Sequence, residues 1–256
     1  MNKGYNQRKP KYASSNDTIF GTRAIIESIR AGKTIDKLFI QKGVKNELTA
    51  ELVNLAKSID IPMSVVPLEK LDRITKKNHQ GAIAFVSPIA FAEVDNVIME
   101  CFEKGEDPFI VILDRITDVR NFGAIARTAE GAGVHALVVP TKGAAQINAD
   151  AMKTSAGALN HLTICRENNL KDTINRIKDS GIKVVAVSEK ADKLYFEEEL
   201  KGPLALIMGS EEDGVSEAYW KLCDGAVKIP MQGEIESLNV FVATGVVLFE
   251  ALRQNT

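Results

Sequence analysis

Cysteine is scarce in this 256-residue chain: Cys101, Cys165 and Cys223 stand far apart, with no CxxC pair and no Cys/His spacing. That pattern argues against a zinc site and a disulfide framework, and buried free thiols are the expectation. Long apolar runs are also missing. Nothing approaches the roughly 20 residues that span a bilayer, and no basic start leads into an apolar run as in a secretory signal. No membrane association and a cytoplasmic location are therefore expected. A strong net charge is absent as well; −2 does not advertise nucleic-acid binding. Finally, no G-x-G-x-x-G follows the apolar run Phe109–Leu113, where the turn carries Asn121 and Gly123 only. Gly131 and Gly133 fall at the end of a predicted helix, as caps do, so an ordinary dinucleotide fold is excluded.

What is present is apolar mass, at 45% hydrophobic residues, enough for one large or two ordinary domains. Charge is spread unevenly. From Met1 to Gly43 nine Lys/Arg stand against three acids, a local excess of +6. Such an excess can grip phosphates in a salt-dependent way, and it also suits a solubilising tail. Residues 1–16 are polar, basic and aperiodic, and read as a disordered arm.

From residue 17 to 88 helical and strand patterns alternate. A helix is predicted over Thr22–Ala31, a strand over Lys37–Gln41, and a helix from about Asn46 with Leu48, Leu52, Leu55 and Ile59. The strand Met63–Val66, a helix over Leu68–Ile74, a turn at Asn78–Gly81 and the strand Ala82–Val86 complete a small α/β domain. His79, beside the turn glycine, is either a functional contact or structural. Residues 89–107 read as a linker helix. From 108 to 256 the order strand, loop, helix recurs, with strands at Phe109–Leu113, His135–Val139, near Leu162, and at Lys183–Val187, Leu204–Met208 and Val227–Ile229. A mostly parallel sheet follows, and ligands on such sheets bind beyond the carboxyl ends of the strands.

Three polar, glycine-bearing loops lie at those ends: 114–127, 209–217 and 231–239. The last runs into Val240–Leu252, about 13 residues of almost wholly apolar helix. Such a helix must be buried all round, in a core or against another subunit. The joint pattern Asn121-Phe-Gly-Ala-Ile-Ala-Arg127, Met208-Gly-Ser-Glu-Glu-Asp-Gly214, and Ile229-Pro-Met231 with Ser237-Leu-Asn-Val240 resembles the SpoU (TrmH, SPOUT) family of RNA ribose 2′-O-methyltransferases. Phe20-Gly-Thr-Arg-Ala24 and His79-Gln-Gly81 are similar to the start and last strand of the family's auxiliary RNA-binding domain. The likeness covers residues 19–254 and is nearest to the branch that methylates a guanosine in 23S ribosomal RNA.

The resemblance implies a C-terminal trefoil-knotted methyltransferase domain over 108–256 and an N-terminal L30e-like RNA-binding domain over 17–88. It implies S-adenosylmethionine as cofactor, held by Met208, Gly209, Ile229, Met231 and Leu238, with RNA as partner and no metal. Asn121, Arg127, Glu211, Ser237 and Asn239 become the expected catalytic cluster. Arg127 is expected to clamp a phosphate and stabilise oxyanion charge, because arginine stays protonated, with Glu211 orienting it. A homodimer closing on the final helix is expected, with Gly245 allowing close approach. Helix capping explains Ser237, Asn239 or Asn121 individually, and Arg127 with Glu211 suits a plain ion pair. Arg115 and Arg120 suit phosphate contact or solvated charge equally. Glu236 is a departure, a carboxylate where close relatives often carry a small polar residue. A tRNA ribose methyltransferase and a non-catalytic RNA-binding protein are the alternatives.

Overall fold

The computed structural model describes residues 18–256; the basic arm read over 1–16 lies outside them. The chain divides after Pro88 into two compact units. The first carries the strands β1 (Thr18–Phe20), β2 (Ile35–Gln41), β3 (Met63–Val66) and β4 (Ala82–Val86), with helices α1 (Thr22–Arg30), α2 (Glu47–Ser58) and α3 (Leu68–Ile74). The spatial order is β1-β4-β2-β3. β4 is antiparallel to β1 and β2, and β3 is parallel to β2.

Strand alternation sorts the side chains onto two faces. Leu38, Ile40, Ala82 and Ala84 meet Ile25, Ile26 and Leu52 from α1 and α2. Phe39, Ile83 and Phe85 meet Leu71 of α3. β1 escaped the sequence reading because three residues carry no period; pairing with β4 makes the strand. Gly21, at φ +91°, turns the chain from β1 directly into α1. His79 is structural: it is buried, its Nδ1 accepts the Gly81 N–H at 3.1 Å, and its Nε2 lies 3.2 Å from Asp72.

The second unit is a seven-stranded sheet of β5 (Phe109–Leu113), β6 (Ala136–Pro140), β7 (Thr163–Glu167), β8 (Lys183–Val187), β9 (Lys193–Leu194), β10 (Leu204–Met208) and β11 (Gly225–Lys228). Every pairing in it is parallel. The runs of β5 and β10, Phe-Ile-Val-Ile-Leu and Leu-Ala-Leu-Ile-Met, fill both faces, as a covered parallel sheet requires. α5 (Val119–Gly131), α6 (Ala149–Thr154) and α9 (Val240–Asn255) cover one face. α4 (Val94–Glu103) and α7 (Leu170–Asp179) cover the other, flanked by the short α8 (Glu217–Trp220). The segment read as a linker is thus a packed layer element, with Val94 and Ile98 in that core and Cys101 also buried.

The order across the sheet is β7-β6-β5-β10-β8-β11-β9. β10 inserts between β5 and β8 although it follows both in sequence, so chain direction across the sheet reverses there. Such a reversal opens a crevice at the carboxyl ends.

Candidate active site

The crevice is real. A pocket of about 230 Å³ opens at the carboxyl ends of β8, β10 and β11, walled by Val187, Met208 and Ile229 together with the segment entering α9. Gly209, Glu211, Met231, Ser237 and Leu238 also line it. All five residues expected to hold the cofactor therefore meet in one cavity, although they span two strand ends and the approach to a helix.

Gly209 shapes the wall. A Cβ there would lie 2.0 Å from the carbonyl carbon of Gly214 and 2.1 Å from the amide nitrogen of Val215, so only glycine permits this approach. The loop closes on itself through paired backbone hydrogen bonds between Ser210 and Gly214 at 3.2 and 2.9 Å, and Ser210 Oγ accepts the Asp213 N–H at 3.2 Å.

The polar cluster assembles only in part. Asn239 donates through Nδ2 to Glu211 Oε1 at 2.5 Å and to Asn121 Oδ1 at 3.3 Å, joining all three loops at the pocket rim. Its Oδ1 accepts the Phe241 N–H at 3.0 Å, so Asn239 is at once the N-cap of α9 and the centre of the cluster. Ser237 lines the pocket and caps nothing. The cap of α5 is Asp118, whose Oδ1 accepts from Arg120 and Asn121 at 2.8 and 2.9 Å. The helix therefore starts at Val119, inside the stretch read as a loop, and Asn121 sits in its first turn.

Arg127 does not meet Glu211. It is exposed, lies six residues along α5 from Asn121, about 9 Å by helical rise, and joins no hydrogen bond or ion pair among the described residues. The expected Arg127–Glu211 pair is replaced by Glu211–Asn239. Near Arg127, α5 and α9 pack closely: a Cβ on Gly245 would lie 3.4 Å from Thr128 Cγ2.

Sequence reasoning missed Ser188 and Glu189, which line the pocket just past β8. The rule that ligands bind beyond strand carboxyl ends pointed to them, but the segment lacks glycine and drew no notice. It also missed Asp114 and Asp213, and left Arg115 between phosphate contact and solvated charge. Asp114 is buried; its carboxylate accepts the Ser216 N–H at 2.8 Å and takes Arg115 Nε and Nη2 at 3.1 and 3.3 Å. Arg115 therefore belongs to the protein's own framework.

Burial pushes the Cys165 and Cys223 thiols up to about 12, away from the thiolate form that reacts. Cys101, Glu106 and His135 lie close enough to suggest a metal site. However, His135 Nδ1 accepts the Phe109 N–H at 3.0 Å, so in the neutral ring Nε2 carries the proton and faces Glu106. That nitrogen offers no free lone pair to a metal.

Among the described residues no helix is long and apolar enough to cross a membrane. Residues 108–249 match the SpoU rRNA methylase family and residues 18–92 the substrate-binding domain of RNA 2′-O-ribose methyltransferases. The TrmH family protein YacO of Bacillus subtilis is 34% identical over 242 residues, 94% of this chain and 97% of its own. The 23S rRNA (guanosine-2′-O-)-methyltransferase RlmB of Photorhabdus laumondii is 36% identical over 239 residues, 93% of this chain and 97% of its own. The SpoU methyltransferase AviRb of Streptomyces viridochromogenes, solved with AdoMet, superposes with a TM-score of 0.59 at 26% identity, over 93% of this chain and 89% of its own. A pocket built from the second and third motif loops, with the first tied to them through Asn121 and Asn239, family matches to both units, and relatives aligned along nearly the whole chain have one consequence: this protein belongs to the SpoU family of RNA 2′-O-methyltransferases.

Proposed function

We propose that this protein transfers a methyl group from S-adenosylmethionine to the ribose 2′-hydroxyl of a guanosine in 23S ribosomal RNA, acting as a cytoplasmic homodimer. The observation that carries the site is the single pocket collecting Met208, Gly209, Ile229, Met231 and Leu238. Its residues suit the cofactor. Ile229, Leu238 and Val240 offer an apolar wall to a purine, while Glu189, Glu211, Glu212 and Glu236 offer carboxylates to a ligand bearing a sulfonium and an ammonium. When bound, S-adenosylmethionine supplies an electrophilic methyl group.

The chain then has to align a 2′-oxygen and stabilise the charge that grows as its proton leaves. The Asn121–Asn239–Glu211 cluster holds the rim of the pocket and orients the ribose. Arg127, always protonated, clamps the adjacent phosphate and steadies the developing oxyanion, and the proton departs to phosphate or water. Without a hydrogen bond or ion pair among the described residues, its guanidinium offers its donors to RNA.

RNA capture belongs to residues 17–88, read as an L30e-like domain. In support, Lys37 and Lys70 stand 5.2 and 4.8 Å from the centroid of the Phe39 ring, and Lys77 stands 5.4 Å from that of Phe20. Among the described residues these ammonium groups rest over rings and pair with no carboxylate, which leaves them available to phosphates. The trefoil knot over 108–256 is inferred from the family pattern. In support, the chain leaves β11 near one edge of the sheet and returns so that Leu238 and Val240 face Gly209 across the pocket.

Dimerisation rests on α9. Val240, Thr244, Val247, Leu248 and Ala251 are buried, while Val242 and Phe249 on the other side are 38% and 51% exposed and flank Gly245. A second copy is the occupant that suits this apolar stripe.

Transfer of radiolabelled methyl groups from S-adenosylmethionine to 23S rRNA and to tRNA, with the modified nucleotide mapped, tests the reading. Label in a single 23S guanosine is expected. Label in tRNA alone establishes the tRNA enzyme, and label in neither leaves a non-catalytic RNA-binding protein.

A further inference from the structure

We propose that Arg115 is a positioning residue that latches the 209–216 loop in the form that walls the cofactor pocket. The inference rests on the methyltransferase reading of that pocket. Arg115 follows β5 directly and holds φ at +60°, a left-handed conformation that a side chain bearing a Cβ rarely adopts. Such a backbone persists only where its surroundings hold it, and here the side chain supplies the hold. Nε and Nη2 fork onto the carboxylate of Asp114, Nη1 donates to Asp213 Oδ2 at 2.8 Å, and Nη2 also donates to the Gly214 carbonyl at 3.0 Å.

The last two partners are nearly a hundred residues away in sequence and lie in the loop that carries Gly209, Ser210, Glu211 and Glu212 along the pocket wall. Asp114 completes the latch from beneath by accepting the Ser216 N–H. The loop is thereby held at both Gly214 and Ser216 to the end of the neighbouring strand. Lys190 Nζ adds a longer contact to the Asp213 carbonyl at 3.3 Å. Arg115 itself does not line the pocket. It acts through the loop, and its strained backbone is the cost of delivering a guanidinium to that point.

Glycine separates latch from strain, because it accepts φ +60° without penalty. Isothermal titration with S-adenosylmethionine, ligand-free melting temperature and hydrogen exchange of amides 210–216 are measured on the full chain. Arg115→Gly should melt at or above the wild-type temperature, exchange faster over 210–216, and bind S-adenosylmethionine about tenfold more weakly, the scale of one lost charge-assisted contact. Arg115→Ala should lose affinity equally but also melt lower, since alanine keeps the strain. Arg115→Lys should recover part of the affinity. Asp213→Asn should weaken binding less, and adding it to Arg115→Gly should produce little further loss.

Wild-type affinity and unchanged exchange in Arg115→Gly overturn the latch. So does a loss of affinity that only follows a lowered melting temperature. If the wild-type protein itself fails to bind S-adenosylmethionine, the cofactor reading falls instead, and exchange over 210–216 still decides whether Arg115 holds the loop.

Discussion

Asn239 serves two masters, and the conflict explains why single residues were hard to assign. Its carbonyl oxygen caps α9 while its amide reaches Glu211 and Asn121. Capping and cluster membership, opposed as alternatives from sequence, are the work of opposite ends of one amide group. Arg127 presents the reverse case, an exposed charged side chain with no hydrogen bond or ion pair among the described residues. Arg127→Ala should therefore leave folding and S-adenosylmethionine affinity nearly unchanged while lowering the methyl-transfer rate about 10²- to 10³-fold, the scale for removing one preorganised oxyanion stabiliser. Single-turnover transfer and calorimetric titration check this; full turnover by the variant ends the proposed role.

At the scale of elements, the 209–216 loop and α9 build the pocket between them. Gly209→Ala should destabilise the chain by at least about 3 kcal/mol, the upper range for overpacking, because the new methyl would collide with backbone and not with a yielding side chain. Thermal melts and cofactor titration read both consequences, and a stable, cofactor-binding alanine variant is the contrary outcome. The far end of α9 is moored by Glu250, which accepts from Arg253 at 2.8 and 2.7 Å and from Gln254 at 2.8 Å. Gln254 also accepts the Leu200 N–H and donates to the Glu198 carbonyl. The Glu250 carboxyl is held down to about 2, first by its hydrogen bonds from Arg253 and then by Gln254. A depressed carboxyl stabilises the fold above its unfolded value near 4.3, and that contribution fades as pH falls toward 2. Glu250→Gln should thus melt lower than wild type at pH 7, with the gap closing between about pH 4 and 2. A gap independent of pH would mean that the ionised form contributes nothing.

On the scale of the whole molecule, the exposed stripe of α9 and the ring-stacked lysines of the first unit are the surfaces to test. Replacing Val242 and Phe249 together by Glu should convert a dimer to a monomer in sedimentation while leaving the buried side of α9 intact; an unchanged sedimentation coefficient counts against dimerisation through this helix. Lys37→Gln, Lys70→Gln and Lys77→Gln combined should weaken RNA binding and reduce the log–log salt slope by about 2, if each lysine neutralises one phosphate of single-stranded RNA. Cofactor titration should not change. An unaltered slope assigns RNA capture to another face.

Periodicity and composition alone disclosed the alternation of helices and strands, the parallel sheet and the loops at its carboxyl ends, because burial on both faces requires unbroken apolar runs such as 109–113 and 204–208. The second and third motifs pointed to most residues of the pocket because backbone cradles constrain residue type locally: Gly209 admits no substitute at all. Short elements escaped, since β1 and β9 owe their existence to neighbours and carry no period of their own. Partnership escaped too. Asp118, not Asn121, caps α5; Glu211 pairs with Asn239, not Arg127; Arg115 turns inward onto a loop nearly a hundred residues away. Which oppositely charged or polar groups meet depends on strand order, and inserting β10 between β5 and β8 is a long-range choice that brings the 114–118 and 209–216 segments together. Local sequence specifies what each loop can hold, and tertiary packing decides which loop it holds onto.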